Sequence, residues 1–354
     1  MAQESPSRQG MLGLAVVIGI VVWIVASRSP WESWSRDRFW KLDRAFADPS
    51  PIYANGEYHV YTTTSTQCVP GNCPSYWVPD FVSPTLSEPG NLRGDAMPDM
   101  PAWVQPDDRQ IWAPSVAPIA GTYVMYFAAS SVDGVKCLGI AVSTTPEGPF
   151  APQGSPLRCS ESAWNIDPYA VTDGAAWFLL WREDDPANPT GKIVGTQLTD
   201  DGLGFLGREE FTLWVGHFPW EDGFPDEPGI GPIESPAMVQ HPATGEWLLT
   251  WSANRWETRD YATGLASCQS PLGPCTPLSI DQPWLRSSSD PSIETGAEFS
   301  GCGGMAFVLG PNGNVYATFH AYRGTGPAPQ ADRVGWVYEV TFDPEKGYRF
   351  QEFG

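Results

Sequence analysis

The stretch from Ile111 to Phe150 reads IWAPSVAPIAGTYVMYFAASSVDGVKCLGIAVSTTPEGPF, and its plan decides the fold. A Pro-bearing opening (Trp112-Ala113-Pro114) leads to a Gly turn, an apolar run from Tyr123 to Ala128, a second run from Leu138 to Ser143, and a close on Pro146-Glu147-Gly148-Pro149. The plan returns at Glu234-Ser235-Pro236, then Trp247 to Ser252, then Gly264 to Ser267, closing on Pro271-Leu272-Gly273-Pro274. Two copies of one plan imply two copies of one supersecondary unit. Working outward, period-2 apolar runs of the same kind begin at Tyr58, Tyr123, Ala176, Trp247 and Val315, a repeat of roughly 50 to 70 residues with variable Pro-rich loops. No helix-period segment of comparable strength appears. Five four-stranded units over residues 46–350 predict an all-β, five-bladed β-propeller, in which radial repetition leaves only short, protected strand edges. Its inner strands are expected near residues 48, 113, 167, 234 and 304. A sandwich would be hard pressed to absorb so many strands.

Composition agrees and excludes one class of partner. Lys and Arg number 20 against 41 Asp and Glu, a formal charge of −21 over 354 residues, with no basic stripe, so nucleic acid is not a ligand to expect. Hydrophobic residues at 42% with only 17% charged can bury a large core. Gly and Pro at 36 each suit short strands and turns, and 17 Trp supply both core filling and flat faces for sugar rings.

Residues 1–27 read as a signal-anchor or a cleaved signal peptide. No charge lies between Arg8 and Arg28, and residues 11–26 (MLGLAVVIGIVVWIVA) are continuously apolar. The uncharged window is about 28 Å long as a helix, close to the ~30 Å of a hydrocarbon core. Val25 and Ser27 loosely fit a cleavage site. Arg28, Arg36, Arg38 and Lys41 favour a cytoplasmic C-terminal part, whereas the cysteines favour export. Three close pairs, Cys68 with Cys73, Cys137 with Cys159 and Cys268 with Cys275, fit local disulfides in an oxidising compartment and leave Cys302 free; zinc would need tighter spacing. An extracytoplasmic monomer, membrane-anchored through residues 11–26 or secreted, is the expectation, with residues 28–45 as a linker. Residues 67–108 read as a Pro-rich insertion between blades one and two that shapes the channel mouth. The acidic run Glu221, Asp222, Asp226, Glu227 reads as a solvated loop or as part of the rim.

Three inner strands open with a carboxylate beside proline: Asp48-Pro49, Asp167-Pro168 and Glu234-Ser235-Pro236. Any one of these is ordinary turn chemistry, but carboxylates at equivalent positions of three blades converge near the axis. Like charges held together raise at least one pKa, which a general acid at neutral pH requires. These motifs, with Ala47-Asp48-Pro49-Ser50-Pro51-Ile52, Trp112-Ala113-Pro114 and Phe319-His320-Ala321-Tyr322, resemble glycoside hydrolase family 43 from about Phe46 to Phe342. That resemblance implies a five-bladed propeller cleaving arabinofuranosides or xylosides with inversion. It assigns Asp48 as general base, Asp167 as the residue that orients the acid and holds up its pKa, and Glu234 as general acid. The implied partner is an arabinose- or xylose-containing polysaccharide or oligosaccharide, and no cofactor is required. Trp112 is the candidate sugar platform and His320 a candidate substrate-binding residue. The family's Gly-x-Gly-His stands here as Gly301-Cys302-Gly303-Gly304, without His, so a central calcium is doubtful and no metal ligand is assigned. Cys302 reads as an inert buried thiol. The rivals are a retaining fructan-type hydrolase, disfavoured by Ala-Asp-Pro, Ile-Asp-Pro and Glu-Ser at its key motifs, and a tethered sugar-binding propeller that has lost catalysis.

Overall fold

The computed structural model describes residues 39–40, 46–64, 76–86, 90–161, 163–185, 188–207, 211–214, 218–221, 232–287, 299–323 and 333–351. The apolar segment 11–26 and the Cys68–Cys73 pair lie outside them. Among the described residues no helix is long and apolar enough to cross a membrane.

Five antiparallel sheets follow one another along the chain. Blade one comprises Ser50–Ala54, Glu57–Tyr61, Pro79–Ser83 and Asn91–Asp95; blade two comprises Trp112–Ile119, Thr122–Ser130, Lys136–Ser143 and Ala151–Pro152. Blade three runs from Asn165–Thr172 through Trp177–Asp185 and Asn188–Gln197 to Phe211–Trp214, and blade four from Ile233–Gln240 through Trp247–Ala253 and Ala262–Cys268 to Cys275–Pro277. Blade five is built from Phe299–Leu309, Val315–Arg323 and Arg333–Asp343. Each inner strand touches the inner strands of both neighbouring blades, and the first and fifth meet, so the sheets close into a five-bladed propeller. Its inner strands begin where the repeats predict. The one described helical element is a single 3-10 turn, Pro219–Glu221.

Period-2 side-chain alternation turns each strand into a two-faced wedge. On Thr122–Ser130, Met125, Phe127 and Ala129 face blade one while Val124, Tyr126 and Ala128 face blade three. On Trp247–Ala253, Trp247, Leu249 and Trp251 face blade three and Leu248 faces blade five. Both faces are buried, which is why these runs read as almost unbroken apolar sequence. Each of the five blade-to-blade interfaces consequently has its own hydrophobic cluster, and there is no single central core.

Two sequence expectations change. The stretch 67–108 is not simply an inserted loop, because Pro79–Ser83 and Asn91–Asp95 inside it complete blade one. They are short and punctuated by Pro and Gly, so no apolar run announced them. Phe39–Trp40, in the linker by sequence, pairs with Gly335–Trp336 of blade five, and Gly347–Gln351 pairs with the same strand at 339–343. A segment ahead of the propeller sequence and the last residues of that sequence thus both pair with one strand of blade five.

Cys137–Cys159 and Cys268–Cys275 are bonded, with Cα separations of 4.6 and 4.0 Å, and Cys302 is free and buried. Closing a longer loop removes more entropy from the unfolded chain, so the bridge of separation 22 is the stronger staple beside the one of separation 7. Replacing both cysteines by Ala should cost about 3 kcal/mol for Cys137/Cys159 and about 2 kcal/mol for Cys268/Cys275. Reversible urea unfolding measures both, and the opposite order would contradict the assignment.

Candidate active site

One backbone device builds the site. Asp48, Ala113, Asp167, Ser235 and Gly304, one per blade at the head of the inner strand, all adopt left-handed conformations, with φ of 51°, 44°, 56°, 51° and 61°. In blades two to five the residue sits in a β-bulge, between Trp112 and Ser115, Ile166 and Tyr169, Glu234 and Ala237, and Gly303 and Ala306. Proline follows in four of the five, and since it has no N–H, the distorted ladder leaves no orphan donor there. A left-handed residue in a bulge re-aims the side chains around it. Asp48 and Asp167 share this position exactly as the repeats suggest, but its counterpart in blade four is Ser235. Glu234 stands one residue earlier, so the three carboxylates are not strictly equivalent.

Four of these residues are tied to the preceding blade through their amides. Ala113 N–H donates to Thr63 Oγ1 (2.8 Å), Ser235 N–H to Asp167 Oδ2 (2.9 Å), Gly304 N–H to Ser252 Oγ (3.0 Å) and Asp48 N–H to His320 Nδ1 (3.2 Å). Ser252 and His320 lie opposite the bulge on the second strands of their blades, facing Glu234 and Gly303. Arg182 holds that place in blade three, facing Ile166. A guanidinium cannot accept an N–H. Asp167 therefore receives the Ser235 amide, and Arg182 reaches across to Glu234.

A cavity of about 530 Å³ opens over these residues and is lined by Asp48, Asp167, Glu234, Arg182, Tyr261 and His320 among others, a volume typical of ligand sites. Glu234 Oε2 is paired with Arg182 Nη1 at 2.8 Å, and Tyr261 donates to Oε1 at 2.9 Å. Arg182 is itself held by Asp184 at 2.8 Å. Thr63 donates to Asp48 Oδ2 at 2.5 Å, and Ser235 Oγ adds a second bond to Asp167 Oδ2 at 3.2 Å. Burial pushes Asp167 up to about 8, reinforced by the charges of Glu234 and then Asp48, against Arg182. Burial likewise raises Glu234, with the Asp48 charge acting the same way, while Arg182 and Tyr261 pull it back. The Asp167–Glu234 pair thus holds a proton above the ordinary carboxylate range, a property of the pair and not of either member.

Trp112 lines the same cavity, with Lys136 Nζ 3.5 Å from its ring centroid and the edge of Trp164 against it at 6.4 Å. Trp164, which is 42% exposed, and Trp256, covered by the Arg333 guanidinium at 4.5 Å, complete the aromatic lining and were not singled out by sequence. His320 reaches the cavity wall but is 1% exposed, its imidazole kept neutral by burial and by Arg333. Because Nδ1 accepts the Asp48 amide, the ring proton lies on Nε2, which leaves no imidazole lone pair for a cation. With Gly304 bare and no group of three or more His, Cys, Asp or Glu arranged for a metal among the described residues, the side chains do not fit a central calcium. Glu221 is neither rim nor solvated loop: it is buried, accepting from Trp251 Nε1 at 2.7 Å and from Phe218 N–H at 2.6 Å. Asp222, Asp226 and Glu227 lie outside the described residues.

Comparison with known proteins gives this arrangement a family. Residues 42–345 match the profile of the glycosyl hydrolases family 43, and the chain belongs to that family. It is 32% identical over 150 residues to xylosidase/arabinosidase 43A of Humicola insolens, covering 38% of this chain and 44% of that protein. It is 34% identical over 98 residues to a beta-xylosidase of Xylanibacter ruminicola, covering 25% and 28%. The matched regions thus span less than half the length of these curated relatives. A thermostable family-43 glycoside hydrolase of known structure superposes with a TM-score of 0.71 at 22% identity, covering 87% of this chain and 93% of that one; at that identity the likeness speaks for the fold.

The raised Asp167 has a consequence for stability. Between its ordinary 3.8 and about 8, the folded chain binds a proton that the unfolded chain releases, so its contribution is fully present below pH 4 and is lost as pH rises to 8. Asp167→Asn removes that loss, and should be more stable than wild type by on the order of 5 kcal/mol at pH 8 with little difference at pH 4. Urea unfolding at the two pH values tests this; equal differences would show that Asp167 titrates normally.

Proposed function

We propose that the chain is an inverting glycoside hydrolase acting on arabinofuranosidic or xylosidic bonds, with Asp48 as general base, Glu234 as general acid and Asp167 as the residue that holds Glu234 protonated. One observation carries the reading: carboxylates from blades one, three and four share one cavity, and Asp167 and Glu234 are both raised so that the pair shares one proton above the usual range, while the third, Asp48, accepts a hydroxyl hydrogen bond from Thr63. In the reaction Glu234 gives its proton to the glycosidic oxygen as the bond from that oxygen to the anomeric carbon breaks. Water attacks the opposite face, its oxygen bonding to the anomeric carbon and its proton passing to Asp48. The Thr63 hydroxyl fixes the Asp48 carboxylate for that step. The pentose-containing substrate class is supported by the xylosidase/arabinosidase named above, and the Trp112 and Trp164 faces supply a sugar platform.

Export is part of the proposal. It is supported by the two bonded cysteine pairs and by the apolar segment 11–26, which would tether or direct the chain.

Glu234→Gln should lower kcat at least 10³-fold on xylan or arabinan fragments, whose leaving groups need protonation, and far less on nitrophenyl pentosides. Asp48→Asn should abolish turnover of both, because no water is activated. Steady-state rates on the two substrate classes separate the roles; equal losses for Glu234→Gln on both would remove it as the acid, unchanged rates in both variants would remove the assignment of acid and base, and absence of turnover in the wild type would favour a sugar-binding propeller.

A further inference from the structure

The two glycines that open blade five are shaped by what stands beside them. A Cβ at Gly303 would overlap the Tyr261 ring and lie 2.7 Å from Ser252 Oγ. At Gly304 it would lie 2.6 Å from His320 Nδ1 and 2.7 Å from Asp48 Oδ1. The space so cleared holds two stacked rings, Tyr261 and His320, with centroids 5.7 Å apart and planes 8° from parallel. One ring ends on Glu234, through the Tyr261 hydroxyl at 2.9 Å. The other ends on Asp48, through His320 Nδ1 and the Asp48 amide at 3.2 Å.

We propose that Tyr261 and His320, seated on Gly303 and Gly304, form a strut across blade five that sets the position of Asp48 relative to Glu234, with His320 acting through Nδ1 as a positioning residue and not as a sugar ligand. The proposal rests on the reading of these carboxylates as base and acid. Several contacts distinguish it from simple packing. Asp48 is in a left-handed conformation, with φ of 51°, which costs free energy in any residue with a Cβ even though aspartate adopts it more readily than most. Blade five grips it from both sides of Pro49, since Thr318 Oγ1 donates to Pro49 C=O at 2.8 Å while His320 takes the Asp48 amide. His320 Nδ1 also lies 3.4 Å from Asp48 Oδ1. Both are acceptors when the ring is neutral and its Nδ1 lone pair is taken by the amide, so this approach is no hydrogen bond and steers the carboxylate away from the ring. The opposite nitrogen, Nε2, is buried with no protein partner among the described residues, and a sugar hydroxyl there is the competing role.

Asn and Gln divide the two roles, because an Asn amide stands where Nδ1 does and a Gln amide where Nε2 does. On the full-length protein with nitrophenyl xyloside and arabinofuranoside, His320→Asn should keep kcat within about threefold of wild type. His320→Gln should lose kcat about 10²-fold with KM changed less than about twofold, the effect of a catalytic group displaced by an ångström or so. Gly304→Ala, which crowds His320 Nδ1 and Asp48 Oδ1 without altering either, should reproduce the Gln variant's loss. The reverse pattern, KM raised in Asn and spared in Gln, would make His320 a sugar ligand and overturn the strut. Wild-type kcat in both His320→Gln and Gly304→Ala, with native melting temperatures, would overturn it as well. If instead Asp48→Asn were fully active, the base assignment would fall with it, which keeps the two failures apart.

Discussion

Five left-handed residues, one at the head of each inner strand, fix where everything else in the cavity stands. Four of them are not glycine, and each such conformation costs about 1–2 kcal/mol. At three of them, Ala113, Ser235 and Asp48, the neighbouring blade offsets the cost through amide hydrogen bonds worth roughly 1 kcal/mol each, to Thr63, Asp167 and His320, and the Gly304 amide makes the corresponding bond to Ser252. These bonds run around the axis from blade to blade. The contacts that close the ring and the contacts that aim the carboxylates are therefore largely the same, and a change in blade five is felt at Asp48 in blade one.

Electrostatics runs against stability here, and in favour of chemistry. Three carboxylates in one cavity repel, and burial strengthens the repulsion. Arg182, paired with Glu234 at 2.8 Å, neutralises one of them; the Asp167–Glu234 pair meets the rest of the penalty by keeping a proton. A retained proton is what a general acid must have at neutral pH.

Much of this was legible in the sequence. The apolar runs gave all five second strands with both buried faces, and the X-Pro openings marked the bulges because proline tolerates, and so advertises, a broken ladder. The fifth opening, Gly304-Met305, carried no proline, yet its place followed from the repeat. What escaped was set by register and not by pattern. Glu234 is one residue off the Asp48 and Asp167 position, which only the strand pairing reveals. Arg182 and Tyr261 have no motif around them, although Thr63, Ser252 and His320, which end three of the five apolar runs, mark the place that Arg182 holds in blade three, just after the run that ends at Trp181. Blade one's outer strands, Pro79–Ser83 and Asn91–Asp95, are too short and too polar to stand out from loop. Glu221 belonged to an acidic run that reads as solvated, and only the tertiary placement of Trp251 shows it buried.

The spatial logic of acid, base and strut comes down to which face of the sugar the water attacks. Proton NMR of the product formed in the first minutes of hydrolysis of a xylo- or arabino-oligosaccharide, read before mutarotation equilibrates the anomers, answers that directly. Inversion at the anomeric carbon is the result expected when Asp48 activates water across the cavity from Glu234. Retention would mean that a carboxylate attacks the sugar itself, and would contradict the roles given to Asp48 and Glu234.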